Sequence, residues 1–253
     1  MSLILLLTIL FLSACGHPKA AHVDVPAPPP PASPEATPTE SAANIPPTSE
    51  RRTNPKEDAE LAEPTLPAGT RPLAVETGLA SWYGPPYHNR RGSNGEVYNM
   101  NAMTAAHRTL PLGSIVRVTN TKTGATALVR ITDRGPFIPG RVIDLSLAAA
   151  KKLDVWQPGV AQVKVELMES GAAPGVEGKW AVQIGGFADV EVATKLASHL
   201  TKRYRTANVL QFKSPAGDWW IRVRVLDDER ERAQKLAAET TTTEGAVFVV
   251  RLD

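Results

Sequence analysis

Only one cysteine, Cys15, occurs in the 253 residues, so the chain cannot close a disulfide on itself and has no thiolate cluster for a structural metal. The five histidines are scattered, and no group of His, Cys and carboxylate has metal-ligand spacing. A Gly-rich phosphate loop is also missing, so neither a metal nor an organic cofactor is implied. Excess charge is lacking too. The 28 basic and 26 acidic side chains leave a net +2, which implies no nucleic-acid partner and no strongly acidic substrate. No apolar run reaches the roughly 18 residues of a membrane-spanning helix. The longest, Leu3–Leu12, has instead the length of a signal-peptide core.

What is present begins at the end of that run. Leu12-Ser-Ala-Cys15 places small residues before a cysteine and looks like a bacterial lipobox. There Cys15 is lipidated and becomes the mature N-terminus, giving a signal segment over residues 1–15. Met1-Ser2 lacks the basic residue that such a leader carries. Gly16 and His17 follow, with no Asp at the second mature position, which favours the outer membrane with the protein facing the periplasm. A triacylated anchor holds far more firmly than a single chain. Residues 16–76 are rich in Pro, Ala, Thr, Ser and Glu, with a run at Pro28–Pro31. Apolar side chains are too sparse there to offset ordering entropy, and the segment reads as a disordered tether.

Residues 77–169 read as a compact β-barrel of about 90 residues, built from short strands, Gly/Pro turns and one small helix. Ser114–Asn120 and Thr126–Ile131 alternate around Thr121-Lys-Thr-Gly124, a hairpin signature. Ser146 caps a helix over Leu147–Leu153, and Gln162–Leu167 closes the set. Inside it, Arg130-Ile-Thr-Asp-Arg-Gly-Pro-Phe-Ile-Pro-Gly-Arg-Val-Ile-Asp-Leu-Ser146 sets Asp133 and Asp144 at the two ends of a tight Gly/Pro loop. Two readings stand side by side. The residues either cap a turn and a helix, or share one cleft as a carboxylate pair of the kind glycosidic-bond chemistry uses. Trp82, Tyr83 and Phe137 are candidate apolar walls of that cleft.

Gly78-Leu-Ala-Ser-Trp-Tyr-Gly84, Asn94-Gly-Glu96, Thr104-Ala-Ala-His-Arg-Thr-Leu-Pro-Leu-Gly113, Asp133-Arg-Gly-Pro-Phe137 and Arg141-Val-Ile-Asp-Leu-Ser146 resemble the rare lipoprotein A family, in order and over this whole segment. The resemblance implies a double-psi β-barrel. It also implies a septal lytic transglycosylase that cleaves the MurNAc–GlcNAc bond of peptidoglycan and leaves a 1,6-anhydro product. The family's acidic positions fall on Glu96 and Asp133, and Asp144 matches the Asp of related barrels. His107 occupies the Thr-Ala-Ala-His position, where it either hydrogen-bonds a barrel loop or touches substrate. Asn99 stands where relatives carry an Asp. The candidate catalytic set is therefore Asp133, Glu96 and Asp144, with His107 and Asn99 in support.

After a joint at residues 170–178, residues 179–253 run βαββαβ, a split-βαβ sheet with helices on one face. Asp189 and Asp228 start the two helices. Alternation in Trp180–Ile184 and Trp219–Leu226 leaves Gln183, Trp220, Arg222 and Arg224 on the other, open face. Trp180-Ala-Val-Gln-Ile-Gly-Gly-Phe187 and Trp220-Ile-Arg-Val-Arg-Val225 resemble the SPOR domain. That resemblance implies binding of septal glycan strands stripped of stem peptides; Gln183, Trp220 and Arg222 on the open face are the candidates to make it, unless the arginines are a solvated face and Trp220 packs at an edge. The whole reads as mainly β plus α+β: an anchored glycan-cleaving enzyme with its own targeting module, working beside division-site proteins. The alternatives are a non-catalytic, expansin-like glycan binder and an inverting hydrolase with a second carboxylate as base.

Overall fold

The computed structural model describes residues 61–253. The leader, Cys15 and the tether up to residue 60 lie outside the described residues. The first strand, β1 (Ala74–Trp82), is followed by β2 (Thr104–His107), β3 (Ile115–Asn120), β4 (Thr126–Asp133), β5 (Arg141–Leu145), helix α1 (Leu147–Lys152) and β6 (Ala161–Glu169). These six strands close into a barrel in the order β1-β5-β2-β4-β3-β6. Two pairs are parallel, β1 with β5 and β2 with β4, and β2 runs antiparallel to β5 between them. Strand β6 pairs with both β1 and β3, so no strand edge of the barrel is left open. This is the double-psi β-barrel.

The barrel core is built mostly from small and β-branched side chains. Val116, Val118, Val129, Ile131, Ile143 and Leu145 are fully buried, with Ala80 and Ala105 between them. Each large member contributes roughly 1.5–3 kcal/mol of apolar burial. The alternation read from Thr126–Ile131 is the burial pattern of β4, and the β3–β4 hairpin turns at Gly124 with φ +76°. Ser146 caps α1 by accepting from Ala149 N at 3.1 Å.

The barrel starts earlier than the tether boundary at residue 76 anticipates. Strand β1 pairs with β6 from Ala74 onward, and Leu73 N donates to Leu167 O at 2.7 Å. Farther upstream, Glu63 accepts from Leu128 N and pairs with Lys152. Composition alone misses this, because the segment is ordered by backbone pairing and one acidic side chain, not by apolar burial.

The second half runs β7 (Trp180–Phe187), α2 (Val190–Arg203), β8 (Asn208–Lys213), β9 (Trp219–Arg224), α3 (Arg230–Glu239) and β10 (Ala246–Arg251). Its antiparallel sheet has the order β10-β7-β9-β8, and both helices pack on one face. Asp189 caps α2 by accepting from Glu191 N at 2.7 Å. Asp228 does not start α3. It adopts φ +54° in the short 3-10 turn Leu226–Asp228, and its carboxylate accepts from Nε and Nη2 of Arg224, each at 2.6 Å. An acid before a helical stretch can cap or pair, and here a neighbouring strand supplies the cation.

Replacing Ile143 by Ala is expected to cost about 2–5 kcal/mol in denaturant unfolding, because a closed barrel has little room to collapse onto the void. The same truncation at Val97, which is 58% exposed, is expected to stay within about 0.5 kcal/mol.

Candidate active site

Strand β2 has hydrogen-bonded neighbours on both sides, and its register sets the geometry of the carboxylates. Ala106 is the partner of Asp144 on β5 and of Asp133 on β4, while Asp144 is also the partner of Ser81 on β1. Ser81, Asp144, Ala106 and Asp133 thus form one transverse row across four strands. Directly paired residues project to the same side of a sheet. The two Asp backbones are separated by two strand spacings, roughly 9.5 Å. Ala106 is the strand residue between them.

The loop between β1 and β2 then decides which carboxylate meets a ligand. Residues 91–97 fold back as a small hairpin, bridged at Arg91 and Val97 and turning at Gly95 with φ +84°. Asn94 N donates to Thr132 O at 3.2 Å, laying the hairpin over the end of β4. Gly92 sits where an added Cβ would be 3.3 Å from Thr132 O, a tight approach that a glycine relieves. The result is a cleft of about 440 Å³, lined by Glu96, Tyr98, Asn99, Thr104, Arg130, Thr132 and Asp133 among others.

Asp133 is fixed by one of its oxygens. Its Oδ1 accepts from Ser93 N at 3.0 Å, Ser93 Oγ at 2.5 Å and Arg134 N at 2.8 Å. Its Oδ2 accepts no hydrogen bond among the described residues. One oxygen is therefore an anchor, and the other is available to a ligand. Glu96 is handled differently. Arg130 Nη1 lies 3.1 Å from its Oε1, Arg130 Nη2 3.0 Å from its Oε2, and Asn94 Nδ2 donates to Oε2 at 2.8 Å. The Arg130 hydrogen bonds hold the Glu96 carboxyl below its ordinary range, against the opposing effect of partial burial. Glu96 is a fixed negative charge at neutral pH.

Asp144 is not in the cleft. It is buried, Arg141 Nη2 donates to its Oδ2 at 2.5 Å, and its buried Oδ1 has no partner among the described residues. Desolvation raises its carboxyl, with Arg141 opposing. The shared cleft expected for Asp133 and Asp144 is thus corrected: the loop joins their ends, but Asp133 lines the cleft while Asp144 is buried against Arg141. His107 also faces away. Its Nδ1 accepts from Thr109 N and Leu110 N at 3.2 and 3.0 Å, so Nε2 carries the proton and donates to Glu76 at 3.1 Å. The loop-bonding alternative for His107 is the one realised. Asn99 does line the cleft, and its Oδ1 accepts from Asn101 N at 3.0 Å.

The apolar wall is Tyr98, not Trp82 or Phe137. Its ring stacks on Tyr83 at 4.3 Å between centroids, and its hydroxyl donates to Tyr83 O at 2.8 Å. Burial raises the Tyr98 phenol far above its usual range, with Asp133 and Asp144 adding to the shift. Trp82 packs on the barrel core, and Phe137 leaves the cleft to pack on Trp220 and Phe248. Ser93, Arg130 and Tyr98 escaped the sequence reading. Arg130 had a signal, since it shares the outward side of β4 with Thr132, next to Asp133. Ser93 had none, because its contact depends on the fold of the hairpin.

Gln183, Trp220 and Arg222 come together as expected, but not on an open face. Gln183 is 2% exposed and Trp220 8%. Arg222 Nε and Nη2 both donate to Gln183 Oε1, at 3.1 and 2.7 Å. Arg224 alone is solvent-exposed, paired with Asp228.

Residues 75–165 match the sequence profile described as "Lytic transglycolase", and residues 176–251 match that of the SPOR domain. A lytic transglycolase barrel joined to a SPOR sheet is the class of protein that fold and cleft define. The barrel is similar to that of several proteins named endolytic peptidoglycan transglycosylase RlpA. An endolytic peptidoglycan transglycosylase RlpA of Neisseria meningitidis serogroup A is 55% identical over 106 residues, covering 42% of this chain and 44% of that protein. Its Vibrio cholerae namesake is 55% identical over 94 residues, covering 37% and 36%. One from Pseudomonas aeruginosa strain UCBPP-PA14 is 58% identical over 89 residues, covering 35% and 26%. The chain thus spans less than half the length of these curated relatives. A Clavibacter michiganensis expansin solved in complex with cellohexaose aligns over 70% of this chain and 90% of its own, at a TM-score of 0.31 and 14% identity.

The Glu96 assignment is checked by titrating its carboxyl with NMR. The folded value is expected below the ordinary glutamate range, so the stabilisation from the pair with Arg130 is present above that range and is lost as pH falls through the lowered value. Arg130→Gln is expected to return the carboxyl toward its ordinary range.

Proposed function

We propose that this chain is a lytic transglycosylase that cleaves the MurNAc–GlcNAc bond of peptidoglycan and releases a 1,6-anhydro-MurNAc end. The observation that carries this reading is Asp133, pinned through Oδ1 and free at Oδ2, in a cleft whose other carboxylate is locked to an arginine. Such a reaction needs one group that first gives a proton and then takes one back. Asp133 protonates the glycosidic oxygen as the C1–O bond breaks. The C6 hydroxyl of the same MurNAc attacks C1, and its proton returns to Asp133. No water enters, and no second carboxylate is needed as a base. Glu96, held ionised across the cleft, faces the positive charge that develops on the sugar ring. Tyr98 supplies the apolar wall. Asp144 and His107 support the barrel behind the cleft without touching ligand. The names of the Neisseria and Vibrio relatives agree with this activity.

The second domain is read as the part that holds the enzyme on glycan strands lacking stem peptides, through Trp220, Gln183 and Arg222. Cys15 is read as the lipid anchor that tethers the chain to the outer membrane, facing the periplasm. Enrichment at the septum, among division-site proteins, belongs to the same reading. Asn99 favours a second one. An amide cannot exchange a proton, so a cleft with one carboxylate fewer than its relatives also suits a non-catalytic glycan binder.

Mass spectrometry of digested denuded glycan strands separates the readings. The enzyme releases products with anhydro-muramyl ends, a hydrolase would leave reducing ends, and a binder would leave the strands intact. Asp133→Asn is expected to lower product release by at least about a hundredfold while the fold is kept. Release at the wild-type rate would exclude Asp133 as the acid/base. Asn99→Asp preserves the bond to Asn101 N and adds a carboxylate, and it is expected to raise the rate several-fold in the same assay.

A further inference from the structure

The SPOR sheet has two faces, and the one without helices is not empty. Cross-strand pairing places Phe248, Gln183, Arg222 and Leu210 in one row across it, with Ala246, Gly185, Trp220 and Phe212 in the next. Gly185 leaves room for the indole of Trp220: a Cβ there would lie 2.9 Å from Trp220 Cε3 and 2.6 Å from Trp219 O. The outcome is an aromatic platform fringed by an amide and a guanidinium, which fits the flat, hydroxyl-edged face of a sugar ring.

A side chain from the barrel occupies that platform. Phe137, in the loop between β4 and β5, lies 5.4 Å from the ring of Trp220 and 5.8 Å from that of Phe248. The loop is braced behind it, since Arg108 Nη1 donates to Pro136 O at 2.8 Å and to Arg141 O at 2.7 Å while its guanidinium sits 5.5 Å over the Phe248 ring. A backbone seam runs alongside. Arg251 N donates to Arg108 O at 2.9 Å, and Arg134 Nη2 donates to Asp253 O at 2.5 Å. Burial follows the seam: Ala181 and Val250 are fully buried, whereas Leu210, at the far edge of the same face, is 55% exposed. Both domains lie within one compact unit.

We propose that the 134–140 loop of the barrel is a built-in occupant of the SPOR sheet face, held by Phe137, and that a glycan strand takes this face by displacing it. This rests on the reading of that face as the glycan-binding one. The consequence reaches the cleft, because the displaced loop begins next to Asp133 and ends four residues before Asp144. A strand on the second domain therefore releases the segment that borders the acid/base, and the coupling is reciprocal. The closed arrangement lowers the apparent affinity by the fraction of molecules in which the face is free.

The test uses the full chain in an Asp133→Asn background, which prevents turnover, with purified glycan strands lacking stem peptides as the probe. Phe137→Ser is expected to tighten binding about tenfold by calorimetry, because it removes the competing occupant. In the chain with Phe137 intact, hydrogen exchange at residues 134–140 is expected to quicken when strands are added. Trp220→Ala is expected to abolish binding in both backgrounds. Unchanged affinity for Phe137→Ser, or exchange at 134–140 that is unaltered or slowed by strands, overturns the proposal while the loss with Trp220→Ala keeps the face as the glycan site. Wild-type binding by Trp220→Ala overturns the reading of the face itself, and the proposal with it. Should Phe137→Ser fail to fold, the exchange measurement decides alone.

Discussion

Four residues of β2, hydrogen-bonded on both sides, hold this barrel and its site together. Thr104–His107 pairs in parallel with β4 and antiparallel with β5, and each neighbour carries one aspartate in register with Ala106. The parallel crossing of β2 and β4 brings the end of β4 to the surface under the 91–97 hairpin. The antiparallel pairing with β5 brings Asp144 up beneath it. Ala106 between them is buried. Strand order brings the two acids into one row, and their different partners, Ser93 of the hairpin for Asp133 and Arg141 for Asp144, give them different surroundings.

From that arrangement the charges sort themselves by environment. Glu96 has its charge stabilised by a guanidinium and an amide, Asp144 is desolvated against Arg141, and Asp133 is anchored through one oxygen. Three carboxylates close in space thus receive three different sets of partners. Neighbouring acids take separate roles when their surroundings differ in this way. Arg134 shows the same economy on the structural side. Desolvation, with Arg251 adding repulsion, lowers its guanidinium to about 10, yet it stays charged and caps the carbonyls of His107, Leu110 and Asp253.

The seam between barrel and sheet shows why aromatic side chains on a loop and on a sheet face are best considered together. Phe137 projected into a cleft would have been a wall for substrate. Projected onto Trp220 and Phe248, it covers apolar surface that a single sheet with helices on one side leaves bare. Burial of that surface accounts for Gln183 being satisfied by Arg222 and not by solvent.

Much of this molecule was legible in its amino-acid order. Alternation placed β3, β4, β7 and β9, the Thr121–Gly124 turn placed the hairpin, and Ser146 and Asp189 marked two helix starts, because period, turn residues and caps are local properties. The residues Glu96, Asn99 and Asp133 were also found, through motifs whose spacing survives in one chain. What only the tertiary structure decided was which of the candidates meet. The burial of Asp144, the turning of His107 toward Glu76, the anchoring by Ser93, the Arg130 clamp and the covering of Trp220 all depend on strands and domains far apart in the chain. Local pattern sets which way a side chain points from its own strand. What it meets there is set by strand order and by the partner packed against that face.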